Sequence, residues 1–215
     1  WLNDNCIPYD KERLIDWHFF EDYREYLTGD KGWSENFFTR TLDRETTQIL
    51  NRIMDPISEG RWSRKGMVVG NVQSGKTGNY TGLIAKSVDS GYKIIIVLAG
   101  LHNSLRTQTQ ERLDKEFIGF DTNRDDNTSR ITRIGVGVKN NHVEDQAIVY
   151  WNTYAAPEKG DFKRENVYSG IQINQSMPPV IFIVKKNKYI LENVIKWLKQ
   201  RGLEEDQEKI DKIPL

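Results

Sequence analysis

Apolar residues recur along the first sixty positions at steps of three and four, as Leu14, Ile15, His18, Phe19 and Tyr23, and then as Ile49, Leu50, Ile53 and Met54. Neither stretch alternates as a half-buried strand would, so the spacing predicts two helices. Asp43 is placed to cap the second and Pro56 to end it. Arg61, Arg64 and Lys65 then form a short basic hinge, and beyond Gly66 the pattern changes. Met67 to Val69 reads as a short strand, Lys76 to Ser90 as a helix carrying Tyr80, Leu83, Ile84 and Val88 on one face, and Lys93 to Leu98 as a buried strand. Together they predict a βαβ unit. A further helix is expected from about Leu101 to Phe117, with Leu101, Leu105, Leu113 and Phe117 inward. Ile131 to Val138 and Ala147 to Trp151 read as strands within a polar stretch rich in Asp, Asn, Gly and Pro. Val180 to Val184 is a buried-type strand, and Asn187 to Gln200 a helix bearing Ile190, Leu191, Val194, Ile195 and Leu198, closed by Gly202. The expected organisation is a helical segment over 1–60, then an α/β domain over 61–215 with an insertion at about 120–177.

Composition narrows this picture. A chain of 215 residues holds one core, or one core and an appendage. Its 31 basic and 31 acidic residues cancel, so nucleic-acid contact has to come from local patches and not from a general positive field. The single cysteine, Cys6, excludes an intramolecular disulfide and a thiolate zinc cluster, and fits a reducing compartment, with the cytoplasm the expected location. No apolar run approaches the roughly 20 residues that span a bilayer, so no membrane partner is expected. The N-terminal WLNDNC shows no secretory pattern, and a start at Trp1 suggests a fragment of a longer protein.

The chemistry lies in the octet GNVQSGKT, which fits GxxxxGK[ST] with Gly70, Gly75, Lys76 and Thr77 in the required places. With glycine at about 7% of average composition, a chance match in a chain of this length has a probability of about 1 in 100. Placed between an apolar strand and an amphipathic helix, the octet would aim free backbone N–H groups and a helix dipole at a phosphate. Gly70, Asn71, Val72, Gln73, Ser74, Gly75, Lys76 and Thr77 are thus the candidate ATP-binding residues. Lys76 would meet the β- and γ-phosphates and Thr77 would ligate Mg2+. The competing reading is a glycine turn that merely joins strand to helix.

A P-loop hydrolase also needs a carboxylate at the end of a second buried strand. Ile94 to Leu98 leads to Ala99 and Gly100, and Val180 to Val184 leads to Lys185 and Lys186, so neither supplies one. The expectation is that this Walker B strand starts at or just after Leu215 in a longer parent. Residues 1–215 alone would then bind nucleotide weakly and hydrolyse it poorly.

The stretch RWSRKGMVVGNVQSGKTGNYTGLIAKSVDSGYKIIIVLAGLHNSLRTQTQERLDKEFIG resembles the Z-one domain family of putative endonucleases, over about Asp43 to Gly119 and again over Pro178 to Leu198. The resemblance implies a RecA-like P-loop lobe related to superfamily-two helicases. It also implies a bacterial restriction or phage-defence setting, DNA as the object of an ATPase, and partners among MutL- or MORC-like ATPases, methyltransferases and nucleases. In that family an apolar strand ending in an Asp-Asp-Glu-Ala-Asp type motif follows shortly after the segment that ends this chain. Residues 120–177 match nothing in the family pattern.

Outside the octet, Arg106, Gln108, Gln110 and Arg112 follow the second strand where helicase-like folds contact nucleic acid, and Lys185, Lys186 and Lys188 follow the Val180 strand at the edge where open α/β sheets bind ligands. Of these, Arg106, Gln110, Lys185 and Lys186 are the candidates for nucleic-acid contact, against the alternative of a solvated face. His18, His102 and His142 lack metal-ligand spacing. Asp161-Phe162-Lys163, with Asp145 as a partner, has nuclease-like spacing on a loop-like stretch. Trp33, Trp62, Trp151 and Trp197 offer stacking surfaces, although aromatic residues more often pack. The expected function is the ATP-binding part of a helicase- or translocase-like ATPase. The alternatives are an endonuclease and a nucleotide-gated module that regulates a partner ATPase.

Overall fold

The computed structural model describes residues 1–3, 7, 8, 13–58, 62–69, 76–123, 132–139, 150, 151, 153–167 and 178–200. They fall into two compact units, Trp1–Tyr92 and Lys93–Leu215.

The regular structure described in the first unit is helical. Helix α1 (His18–Glu25) runs on as wider π-type turns over Tyr26–Asp30. Its predicted start at Leu14 is trimmed, since Leu14 precedes the helix and is 93% exposed. Ser34 begins the next helix by accepting a bond from the Phe37 N–H at 3.2 Å. Helix α2 (Glu35–Phe37) then passes through π-type turns at Phe38–Asp43 into α3 (Arg44–Arg52). Asp43 is therefore not the cap it was expected to be. Its backbone is already helical and its side chain makes no capping bond, because the cap is supplied nine residues earlier by Ser34. Helix α3 stops as Ile53 turns extended, three residues before Pro56.

Helix α4 (Lys76–Asp89) packs on α1 and α3. Gly82 permits that approach, since a Cβ there would stand 3.3 Å from the Thr46 methyl and 3.4 Å from the Phe20 ring. The fully buried Lys86 donates to the Asp43 carboxylate at 2.5 Å and to Thr47 Oγ1 at 2.6 Å, with its ammonium 4.2 Å from the Phe20 ring centroid. Pairing and hydrogen bonding are what make a buried lysine tolerable there. Asp89, the last residue of α4, accepts the Phe19 and Phe20 N–H groups at 3.0 Å each and so caps the start of α1.

The strand expected at Met67 to Val69 is not formed. These residues belong to no sheet and all three side chains are exposed. A three-residue apolar run between Gly66 and Gly70 has little to hold it extended unless another strand pairs with it, and none among the described residues does. The predicted βαβ unit is therefore not built in this structure.

The second unit is α/β. Strands β1 (Ile94–Ala99), β2 (Tyr150–Trp151) and β3 (Val180–Lys185) form a wholly parallel sheet in the order β1-β3-β2. Central β3 reads VIFIVK and is buried through Val184, as expected of a strand covered on both faces. One face, Val180, Phe182 and Val184, packs with Phe162, Val167, Ile190, Val194 and Trp197. Phe162, Phe182 and Trp197 meet edge to face, the closest pair having ring centroids 5.0 Å apart. Helix α8 (Lys188–Leu198) supplies Trp197 and is capped by Asn187, which accepts the Tyr189 N–H at 2.9 Å.

Helix α5 (Asn103–Leu113), prolonged by π-type turns over Asp114–Ile118, packs on β1 and β3. Its inward face differs from the predicted one. Arg106, Thr107, Gln110, Leu113, Asp114 and Phe117 are buried, whereas Leu101 and Leu105 are exposed. The expected strand at Ile131 to Val138 is also replaced, over its described residues, by a single bridge from Arg133 to Phe120 and the short helix α6 (Val136–Lys139). Gly135 explains the turn: its φ is +53°, and a Cβ there would lie 1.8 Å from the Lys115 carbonyl oxygen. Short helix α7 (Arg164–Val167) packs on α8.

Candidate nucleotide site and the strand ends of the sheet

The octet and the fold meet at one point. Lys76 and Thr77 are the first described residues of α4, and Gly70 to Gly75 lie outside the described residues. The first N–H groups of a helix have no partner within it, and the dipole makes its start favourable to an anion. The first described turn of α4 carries no acidic residue of its own, and the Glu45 carboxylate stands close to it, accepting from Asn79.

Two aromatic residues from α1 and the loop after it bear on the same turn. The Tyr23 hydroxyl donates to the Gly78 carbonyl oxygen at 3.3 Å. A Cβ on Gly78 would stand 3.0 Å from Cη2 of Trp33, so the indole lies directly on the helix backbone two residues after Lys76. Trp33 is half-buried and meets Phe37 edge-on, with centroids 5.4 Å apart, and Phe37 is 47% exposed. Nearby, Asn79 donates to Glu45 at 2.9 Å. Trp33 was one of several tryptophans with a general stacking capacity in the sequence, and nothing in local spacing tied it to the octet.

The other candidate residues gather at the C-terminal ends of β1 and β3. Arg106 is fully buried. Its guanidinium donates to the carbonyl oxygens of Tyr154 at 3.1 Å, Ala156 at 2.8 Å and Gly160 at 3.3 Å, and to Thr107 Oγ1 at 3.1 Å. Burial lowers its pKa, and nearby Asp161 and Asp114 work against that shift. Gln110 is equally buried, accepting from Thr153 Oγ1 at 2.8 Å and donating to Asp114 at 2.9 Å. Asp114 also accepts from the Thr122 hydroxyl at 2.6 Å. Burial pushes its carboxyl up to about 6, against the lowering effect of the Thr122 and Gln110 bonds. Thr122 and Thr153 in turn accept the N–H groups of Ala155 and Ile183. This connected network ties α5 to residues 153–160 and to β3. Neither Arg106 nor Gln110 is presented to a nucleic acid in this conformation, because their polar groups serve the loop.

Lys185 is also engaged, donating to Asn103 Oδ1 at 2.6 Å and lying 3.6 Å from Asp161 Oδ2. Lys186 is exposed. Asp161 is not a nuclease-type strand residue: it is buried in the bend before α7, where Oδ1 accepts the Phe162 N–H at 2.9 Å. Its proposed partner Asp145 lies outside the described residues, as does His142. Among the described residues, no group of three or more His, Cys, Asp or Glu side chains is placed to hold a metal. No described helix is long and apolar enough to cross a membrane. Trp197 belongs to the core, Trp62 packs edge-on to Tyr92, and Trp33 packs on Gly78 of α4. Compared with known protein families, with curated proteins and with solved structures, the chain matches none.

Proposed function

We propose that the chain is the nucleotide-binding part of a P-loop NTPase, with ATP as nucleotide and Mg2+ carried on its phosphates. The observation that supports this most directly is that Lys76 and Thr77, the last two residues of GNVQSGKT, are helical and lead into the long helix α4. A glycine-rich run delivered to the start of a long helix is the arrangement that exposes main-chain N–H groups to a phosphate. The absence of acidic residues in the first described turn of α4 favours the same ligand. In this reading Gly70 to Gly75 wrap the phosphates, Lys76 meets the β- and γ-oxygens and Thr77 holds Mg2+. Bound magnesium neutralises charge on the transferring phosphoryl group, and the chain's own part is to position the phosphates and compensate their charge.

The finer reading is a RecA-like lobe of a DNA-directed ATPase in a bacterial restriction or defence system. It draws on the Z-one resemblance, and the parallel order β1-β3-β2 is compatible with it. The experiment is nucleotide binding and DNA-stimulated hydrolysis by the intact protein, wild type against Lys76→Ala. Loss of binding and turnover in the variant is the expected result, and unchanged activity would remove the mechanism. Turnover indifferent to DNA would move the reading to a nucleotide-gated module.

A further inference from the structure

We infer that the outer edge of β1 is a docking site for residues 201–215 of this chain, which follow α8 and add there as a further parallel strand. Among the described residues, no strand pairs with β1 on the side away from β3. The Val180 N–H donates to the Lys93 carbonyl oxygen at 2.8 Å. By strand alternation Lys93, Ile95 and Val97 then turn their backbone groups toward β3, while Ile96 and Leu98 turn theirs outward. Side chains mark the same edge. Ile96 and Leu98 stand in register with Phe182 and Val184, on the face that α8 covers, yet they are 37% and 47% exposed where Phe182 and Val184 are 0%. An apolar edge strand left open in this way is a template for pairing with another strand.

Which strand belongs there follows from the path of the chain. Parallel connections within one sheet share a right hand, so crossovers on opposite faces step in opposite directions. Lys185 of β3 donates to Asn103 of α5, which places α5 on the face opposite α8, and this crossover leads from β1 past β3 to β2. The connection from β2 to β3 runs on the α8 face, where Phe162 and Val167 pack with Phe182, and it steps back toward β1. Helix α8 leaves β3 on that same face and therefore in that same direction. The place beside β3 is already filled by β1, so the first open position is the outer edge of β1. Residues 201–208 suffice as the connector, since their extended reach of about 26 Å exceeds the roughly 10 Å of two strand spacings. Glu204 to Glu208 is polar throughout and leads to Ile210, Ile213 and Leu215, and Pro214 is tolerated on an edge strand.

The test is hydrogen exchange at the Ile96 and Leu98 amides in the 215-residue chain, in the same chain ended at Gln200, and in full-length Ile213→Asp. The expected result is slow exchange in the wild type and exchange faster by about tenfold or more in both variants. The Ile95 and Val97 amides, which face β3, should stay equally protected in all three and so report that the sheet is intact. Should the truncation unfold β1 as well, the comparison with Ile213→Asp decides alone. Fast exchange at Ile96 and Leu98 in the wild type would overturn the inference and leave the edge to a strand from another protein. Slow exchange that persists in both variants would overturn it too, and a dependence of that protection on protein concentration would assign the edge to a second copy of the chain.

Discussion

Arg106 shows how a residue chosen for its charge takes a structural role once the chain folds. It is 0% exposed, and its guanidinium is spent on three loop carbonyls and a threonine hydroxyl. Substituting leucine would remove the charge-assisted bonds to those carbonyls, each of which keeps one backbone N–H donor, and so costs about 2 kcal/mol. Arg106→Leu is therefore expected to lower the midpoint of urea unfolding markedly. Arg106→Lys should lose less, because it keeps the charge but not the planar fork. A leucine variant as stable as wild type would show that the clamp contributes nothing. The signal for this role was present in the sequence, in Arg106, Gln110 and Asp114 at successive four-residue steps, which form one stripe along α5. Reading only the apolar residues put Leu101 and Leu105 inside, and they are 68% and 47% exposed. Periodicity assigns a buried face to apolar residues, and a buried polar stripe is visible only through partners such as Thr122 and Thr153 that lie far along the chain.

Elements were legible where one local rule sufficed. Helices α4 and α8 fall within their predicted spans, strands β1 and β3 each run one residue past theirs, and Asn187 caps α8 as its residue type allows. Elements that depend on distant partners were not. Met67 to Val69 has strand character but no paired strand among the described residues, and the run before Val138 yields to glycines at 135 and 137 pressed against the chain at 115 and 119. The capping of α1 by Asp89 was equally hidden, since the two lie about seventy residues apart. It carries a pH prediction. Burial raises the Asp89 carboxyl to about 7 from 3.8, outweighing the two N–H bonds from Phe19 and Phe20 that favour the charged form. The folded state therefore binds the proton more tightly than the unfolded chain does. The associated stability is fully present below about pH 3.8 and is lost progressively as pH rises through about 7. Asp89→Asn removes that titration, so the difference in unfolding free energy between variant and wild type should shift in the variant's favour from pH 5 to pH 8. A difference that is flat with pH would mean that the carboxyl titrates alike folded and unfolded.

For the molecule as a whole, 31 positive and 31 negative side chains leave no general field to draw DNA in, so any complex has to be held by a few local phosphate contacts. Four residues were expected to make them. Arg106 and Gln110 are interior, and Lys185 is committed to Asn103 and lies beside Asp161, which leaves Lys186 exposed at the end of β3. The dependence of binding on salt distinguishes these roles, because each neutralised phosphate adds about 0.9 to the slope of log affinity against log salt on duplex and about 0.7 on single strands. Lys186→Ala is expected to lower the slope by about that one increment. Arg106→Lys should leave the slope unchanged while reducing thermal stability, since its contacts are with Tyr154, Ala156 and Gly160. Titrations of a labelled oligonucleotide at several salt concentrations give both slopes. If both variants flatten the dependence equally, α5 must turn its polar stripe outward in the complex, and the network from Arg106 to Thr153 would be a closed state that DNA opens. If wild type and variants show no salt-dependent binding, the surviving function is the nucleotide switch, which needs the phosphate cradle at the start of α4 and no basic surface.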